Sequence, residues 1–340
     1  MIFSVWPRGP TLSYRMTTGT CASVTDDRKS LARIEPTAAI SVRAALFLLL
    51  AAAAAPGAAE DYVTFRYEDI EVTAVPPGSF AVTLAHQLHR YAAALTQLLQ
   101  IDAGQRLPTH VYVLSETGIE DLLQVKDGSA FLSDGHEVTV ISPRGDDSTR
   151  TDGAYFGYAR GLLNTARFRR YPFWYREGVP EVFANPEFTR ETVTLGNFRS
   201  GYAYALQRGN WIPVQSLFGM QQGDPQLAAG SPTEAMFYAE SWYVARYYFT
   251  EQKYRAEFTH YLQLMNEGTP EPQAFAQSFK ITYEQLDLAL QNAKYGPMHV
   301  YHLRVAEGAV NGNAVPLAPA DMNSQLESLR TRLARGVKPP

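Results

Sequence analysis

Glu177 and Glu181 stand four residues apart, so on a helix both carboxylates project from one face, one turn apart. Paired carboxylates serve as general acid and base when their surroundings separate their pKa values, and a hydrolase built on Glu177 and Glu181 is one reading. Glycosidase pairs, however, flank the scissile bond from opposite sides rather than from a single helical turn. The plainer reading is two acids on a solvated helical face. Histidines offer less. His86 and His89 share a helix face, His136-Glu137 has Val140 where a second histidine would complete a metal-binding pair, and His299 and His302 point to opposite sides of a strand. No set supplies three convergent metal ligands, and each histidine reads as an ordinary polar residue.

These residues need elements to hold them. Residues 61–75 alternate loosely and read as a strand, broken by Pro76-Pro77-Gly78. From 79 to 100, Phe80, Leu84, Leu88, Tyr91, Leu95 and Leu98 recur every three or four residues, the period of an amphipathic helix. Strands are expected at 110–114 and 136–142, with a short helix at 117–126 between them. A polar loop over 143–151 follows, and Thr151-Asp152 is placed to cap a helix. Beyond it the pattern turns helical, at 154–167 and 172–184, then 197–207, 233–250, 253–266, 271–279 and 282–293. Short strands are expected at 192–195 and 300–305, and a last helix at 322–335. Strands first and a helical majority afterwards define an α+β chain.

The remaining features bound the function. A net charge of −4, with no long basic stripe beyond the short 167–170 cluster, speaks against a dedicated nucleic-acid binder. Arg43, the apolar run 44–55 and the small residues before Glu60 have the layout of a signal peptide over 42–59, too short to cross a bilayer comfortably. An N-terminal anchor helix is the alternative. Residues 1–41 show no periodic apolar face and are expected to be untranslated or disordered, with Val42 as the initiator; residues 1–59 are left out of the expected fold. Cys21 is the one cysteine and lies in that segment, so no disulfide or thiolate chemistry is expected of the exported chain.

A resemblance adds to this. Trp174-Tyr-Arg-Glu177-Gly-Val-Pro-Glu181 resembles the W-x-x-E-G-x-x-E pattern of gluzincin metallopeptidases, and more closely that of secreted bacterial proteins of the peptidase-MA-like kind. Phe237-Tyr-Ala-Glu-Ser-Trp242 is similar to that family's F-Y-A-Q-S-W segment. Thr192-Val-Thr-Leu-Gly196 and Trp211-Ile-Pro213 sit where the family has a short strand and a W-x-P turn. The resemblance implies a gluzincin-like scaffold over residues 60–295, with a small strand-containing lobe before a mainly helical one, and a C-terminal extension over 296–340.

In active members an H-E-x-x-H helix supplies two zinc ligands and a general base, and a glutamate on the next helix supplies the third ligand. Carried onto this chain, Glu177 matches the third ligand and Glu181 the neighbouring acidic position. The histidine positions fall on Phe156 and Arg160, and the catalytic glutamate position on Gly157. None of these three binds zinc or abstracts a proton, so zinc, the family's cofactor, is not expected here. Pro180, where the family has a small helix former, is expected to kink its helix. Arg160 is expected to meet Glu177 as an ion pair in the zinc position, with Phe156 filling volume. Tyr238 reads as a third candidate beside Glu177 and Glu181, or as a core residue. Trp174 and Trp242 read as core aromatics or, in the cleft, as its lining. The expected function is an exported, periplasmic or secreted, catalytically inactive relative of zinc metallopeptidases that keeps the cleft for a peptide or envelope partner. It would bind no nucleic acid and keep no membrane span after signal cleavage. A hydrolase using Glu177 and Glu181, or a metallopeptidase with non-standard zinc ligands, is the alternative.

Overall fold

The computed structural model describes residues 2–6, 61–101, 106–124, 129–133, 137–144, 152–163, 170–197, 200–228, 230–251, 253–293, 300–308 and 311–336. The expected signal peptide, Cys21, His136, His299, the loop from 145 to 151 and residues 167–169 of the arginine cluster lie outside them. Met1–Thr11 and Glu60–Pro340 belong to one compact unit. The expected α+β organisation is present: a strand-rich first part followed by a helical majority.

A seven-stranded sheet is built from β1 (Ile2–Trp6), β2 (Tyr62–Tyr67), β3 (Ile70–Ala74), β4 (Thr109–Leu114), β5 (Ser129–Ser133), β6 (Val138–Pro143) and β10 (Val315–Leu317), in the order β1-β5-β6-β4-β3-β2-β10. The pairs β3–β4 and β4–β6 are parallel and the rest antiparallel. The single strand expected over 61–75 is a hairpin. Its turn, Glu68-Asp69, has no glycine or asparagine to announce it, and Glu68 takes the left-handed conformation itself at φ 51°.

Side chains alternate across a strand, and here both faces are covered. On one face Val111, Val113, Phe131, Val138 and Val140 join the main core with α1 (Gly78–Leu98) and α3 (Asp152–Leu163). On the other, Tyr112, Leu114, Ala130, Leu132 and Ile141 meet α2 (Glu116–Leu123) and α11 (Pro319–Gly336) in a second core. The helix expected at 79–100 is therefore α1, with Leu84, Leu88, Tyr91 and Leu95 fully enclosed.

The helical part comprises α4 (Phe173–Phe183), α5 (Ser200–Arg208), α6 (Val214–Gly219), α7 (Pro232–Thr250), α8 (Arg255–Glu267), α9 (Glu271–Ser278) and α10 (Tyr283–Ala293). Between α4 and α5, β7 (Glu187–Phe188) and β8 (Thr192–Leu195) form a small antiparallel sheet completed by β9 (Tyr301–Arg304). Residues 296–340, expected as an extension, thus give a strand to each sheet, and α11 buries Met322, Leu329 and Leu333 in the second core. The boundary expected at 295 falls inside the compact unit. So does β1, in a stretch expected to lie outside the fold. Among the described residues no helix is long and apolar enough to cross a membrane.

Candidate functional site

α3 carries glycine where it packs on β6. A Cβ at Gly157 would stand 2.7 Å from Val140, and one at Gly161 would stand 2.6 Å from Val138. Arg160 is enclosed, with only 3% of its surface exposed. Its guanidinium sits 5.8 Å from the Phe131 ring of β5 and 5.9 Å from the Phe156 ring one turn back on α3.

α4 begins after Pro172, whose fixed φ suits a helix start. It continues through Pro180 as one helix to Phe183. Glu177 and Glu181 are 1% and 4% exposed, which replaces the reading of a solvated acidic face. Arg160 Nη2 donates to Glu177 Oε1 at 2.6 Å, and the ion pair expected from the sequence is present and buried. Glu177 Oε2 is shut off from solvent and takes no hydrogen bond among the described residues.

Tyr238, half-buried on α7, belongs to the same electrostatic neighbourhood. Burial pushes its hydroxyl well above the ordinary tyrosine range; the negative charge of Glu177 adds to this, Arg160 opposes it, and Glu234 and Glu181 add smaller effects. The structure therefore brings Phe156, Arg160 and Glu177 together, with Tyr238 within their electrostatic reach. Trp174 and Trp242 are different. Trp174 is fully buried and stacked on Phe218 at 5.1 Å; Trp242 is 2% exposed, beside Tyr202 and beneath the Arg246 guanidinium. Both are core aromatics, and the reading that they line an open cleft is corrected.

A zinc ion does not fit this arrangement. Of the four positions implied for ligands and general base, only Glu177 offers a donor, and its Oε1 is held by a guanidinium whose charge would repel the ion. A glutamate at position 157 would have to displace Val140. What the cluster does chemically is neutralise a buried charge: two opposite charges satisfy one another where either alone would be costly.

Two further groups escaped the sequence reading. Glu240, 1% exposed on α7, accepts the Ile212 N–H at 2.6 Å. Burial pushes its carboxyl up to about 8, the Ile212 bond working against this and Asp287 with it. Nothing in the local pattern marks it, because its burial comes from the segment after α5. The second group is Glu68, Asp69 and His89, whose ligand-type atoms lie within 4.8 Å of one another at the β2–β3 turn. His89 Nδ1 is 3.5 Å from Glu68 and 3.7 Å from Asp69. The sequence separates these acids from His89 by a full strand and half a helix, so only the hairpin and α1 together could assemble them.

Comparison of the sequence with protein-family models and with curated proteins finds no match.

Proposed function

We propose that this chain is an exported, catalytically inactive relative of gluzincin-type zinc metallopeptidases that binds an extended peptide instead of cleaving it. The observation that carries the reading is the buried Arg160–Glu177 pair, formed by two of the three positions that ligate zinc in the resembling pattern. The close packing of Gly157 on Val140 supports it, since the general-base position has no room for a glutamate. Export rests on the signal-like segment over 42–59. Glu177 is committed to Arg160, which disfavours the hydrolase alternative.

Peptide binding draws support from the edge of the large sheet. β1 pairs antiparallel with β5 over five residues, from Ile2 opposite Ser133 to Trp6 opposite Ser129. β5 also carries Phe131, against which Arg160 packs. Main-chain pairing of this kind takes an added strand with little regard for its side chains. β5 is thus an edge that accepts an extended segment; β1 occupies it in the full chain, and removal of the signal-like segment would take β1 away and leave that edge to a peptide.

The test has two arms. Elemental mass spectrometry of the full chain after incubation with excess zinc should find no ion that depends on Glu177. Stoichiometric zinc lost in Glu177→Gln would overturn the reading, whereas zinc lost in Asp69→Asn but not in Glu177→Gln would locate the ion at the β2–β3 turn. In the second arm, Ser4→Pro removes a backbone donor from β1 and should loosen it. Fluorescently labelled extended heptapeptides should then bind the variant more tightly than the parent chain. Equal binding would count against β5 as the seat.

A further inference from the structure

Away from the Arg160–Glu177 pair, α1 turns His86, Gln87 and Arg90 into a pocket of about 450 Å³, bounded on the other side by Phe188 of β7, Arg190 of the β7–β8 turn and Glu307 beyond β9. Pockets of this size accept small organic ligands.

Its buried members are short of partners in one particular way. Arg90 is 6% exposed and spends its Nε and Nη2 on backbone carbonyls, those of Val305, Thr189 and Thr192. Carbonyls orient a guanidinium but do not cancel its charge, and among the described residues Arg90 has no ion-pair partner. Glu307 is near enough to be felt by Arg90 without being in contact with it. A cation taken out of water without a counter-charge is costly, which is the condition an anionic ligand relieves.

Beside Arg90, the His86 ring is 6% exposed, packed on Tyr67 at 3.9 Å, and its Nε2 is closed to solvent with no hydrogen bond. Burial lowers this imidazole, so the nitrogen is a neutral donor or acceptor rather than a second cation. Gln87 accepts the Tyr155 hydroxyl at 2.9 Å through its side-chain oxygen, which turns its NH₂ into the remaining donor. Arg90, which has no ion-pair partner among the described residues, Gln87, His86 and the Phe188 ring, 5.6 Å from the Arg90 guanidinium, line a common space. Glu307 at the rim works against a dianion.

We propose that this pocket binds a carboxylate monoanion. Arg90 supplies the counter-charge, Gln87 and His86 hydrogen-bond the carboxylate oxygens, and Phe188 packs on the carbon next to them. Arg190, exposed at the mouth, draws the anion in. The carboxylate can belong to a free organic acid or to the end of a peptide, and the experiment separates the two.

Isothermal titration of the full chain would use sodium phenylacetate, N-acetyl-Ala-Phe, the C-terminal amide of that dipeptide, and inorganic phosphate. At least one carboxylate should bind one-to-one, and the amide about tenfold or more weaker, as loss of a charge-assisted bond implies. Binding of the dipeptide acid without phenylacetate assigns a peptide end; comparable binding of both assigns a free acid. His86→Phe, which keeps the ring on Tyr67, and Gln87→Leu should each weaken carboxylate binding, with thermal melts verifying that the variants are folded. The proposal is overturned if no carboxylate saturates the protein, if the amide or phosphate binds as well as the acids, or if both folded variants bind like the parent.

Discussion

Arg160 and Glu177 illustrate why a buried ion pair is costly to break and cheap to replace. Each charge is closed off from water, so removing one partner strands the other. Arg160→Met and Glu177→Leu should each lower unfolding stability by about 3–5 kcal/mol in urea titrations, while the double variant should return close to the parent or exceed it. Glu240 makes a different prediction. Its carboxyl is held at about 8 in the folded chain against about 4.3 unfolded, so the folded state carries the extra proton in between. Stability from this group is present at low pH and lost as pH rises from about 4.3 to 8. Glu240→Gln keeps an acceptor for Ile212 and cannot ionise. Chemical denaturation across that window should show a smaller decline for the variant; parallel curves would refute the assignment.

Between elements, α4 approaches α7 closely at Gly178. A Cβ on Gly178 would lie 2.0 Å from the backbone oxygen of Ser241, which no rotamer change relieves. Gly178→Ala therefore forces the two helices apart and should cost at least 1–3 kcal/mol, the usual range for overpacking, read as a lowered denaturation midpoint. Gly157→Glu, which would restore the general base in the resembling pattern, meets Val140 on β6. The expected result is lost stability without gained peptidase activity, in a melt and a fluorogenic peptide assay run side by side. Gly178 serves packing in a stretch that the sequence motif assigns to chemistry.

Across the molecule, the central strands of the large sheet are covered on both faces, and β1 and β10 stand at its opposite edges. α11 covers residues of the second core that Tyr112, Leu114 and Ile141 present from the sheet. Deleting residues 296–340 removes that helix together with β9 and β10. The shortened chain should lose cooperative unfolding and bind a hydrophobic dye such as ANS, as expected when apolar sheet surface is uncovered. An unchanged sharp transition would show that the second core stands without α11.

The sequence by itself determined the strand-first, helix-later organisation and the long elements within it. Helical periods in α1 and α7 and apolar runs in β4 and β6 are local patterns, readable without a partner in view, whereas the Arg160–Glu177 pair is expected only through the resemblance to the peptidase pattern. Short elements were lost: β5, β7, β10 and α6 are too brief for periodicity to show, and the Glu68 turn lacks the residues that usually mark one. Only tertiary structure decided which charges are buried. Glu177, Glu181 and Glu240 look alike in a sequence; packing by α3, α7 and the segment before α6 encloses them. The same holds for Arg90 and His86, whose pocket is assembled from α1, the β7–β8 turn and residues more than two hundred positions later. Desolvation and electrostatic reach act through space, and residues that share them need share nothing in sequence.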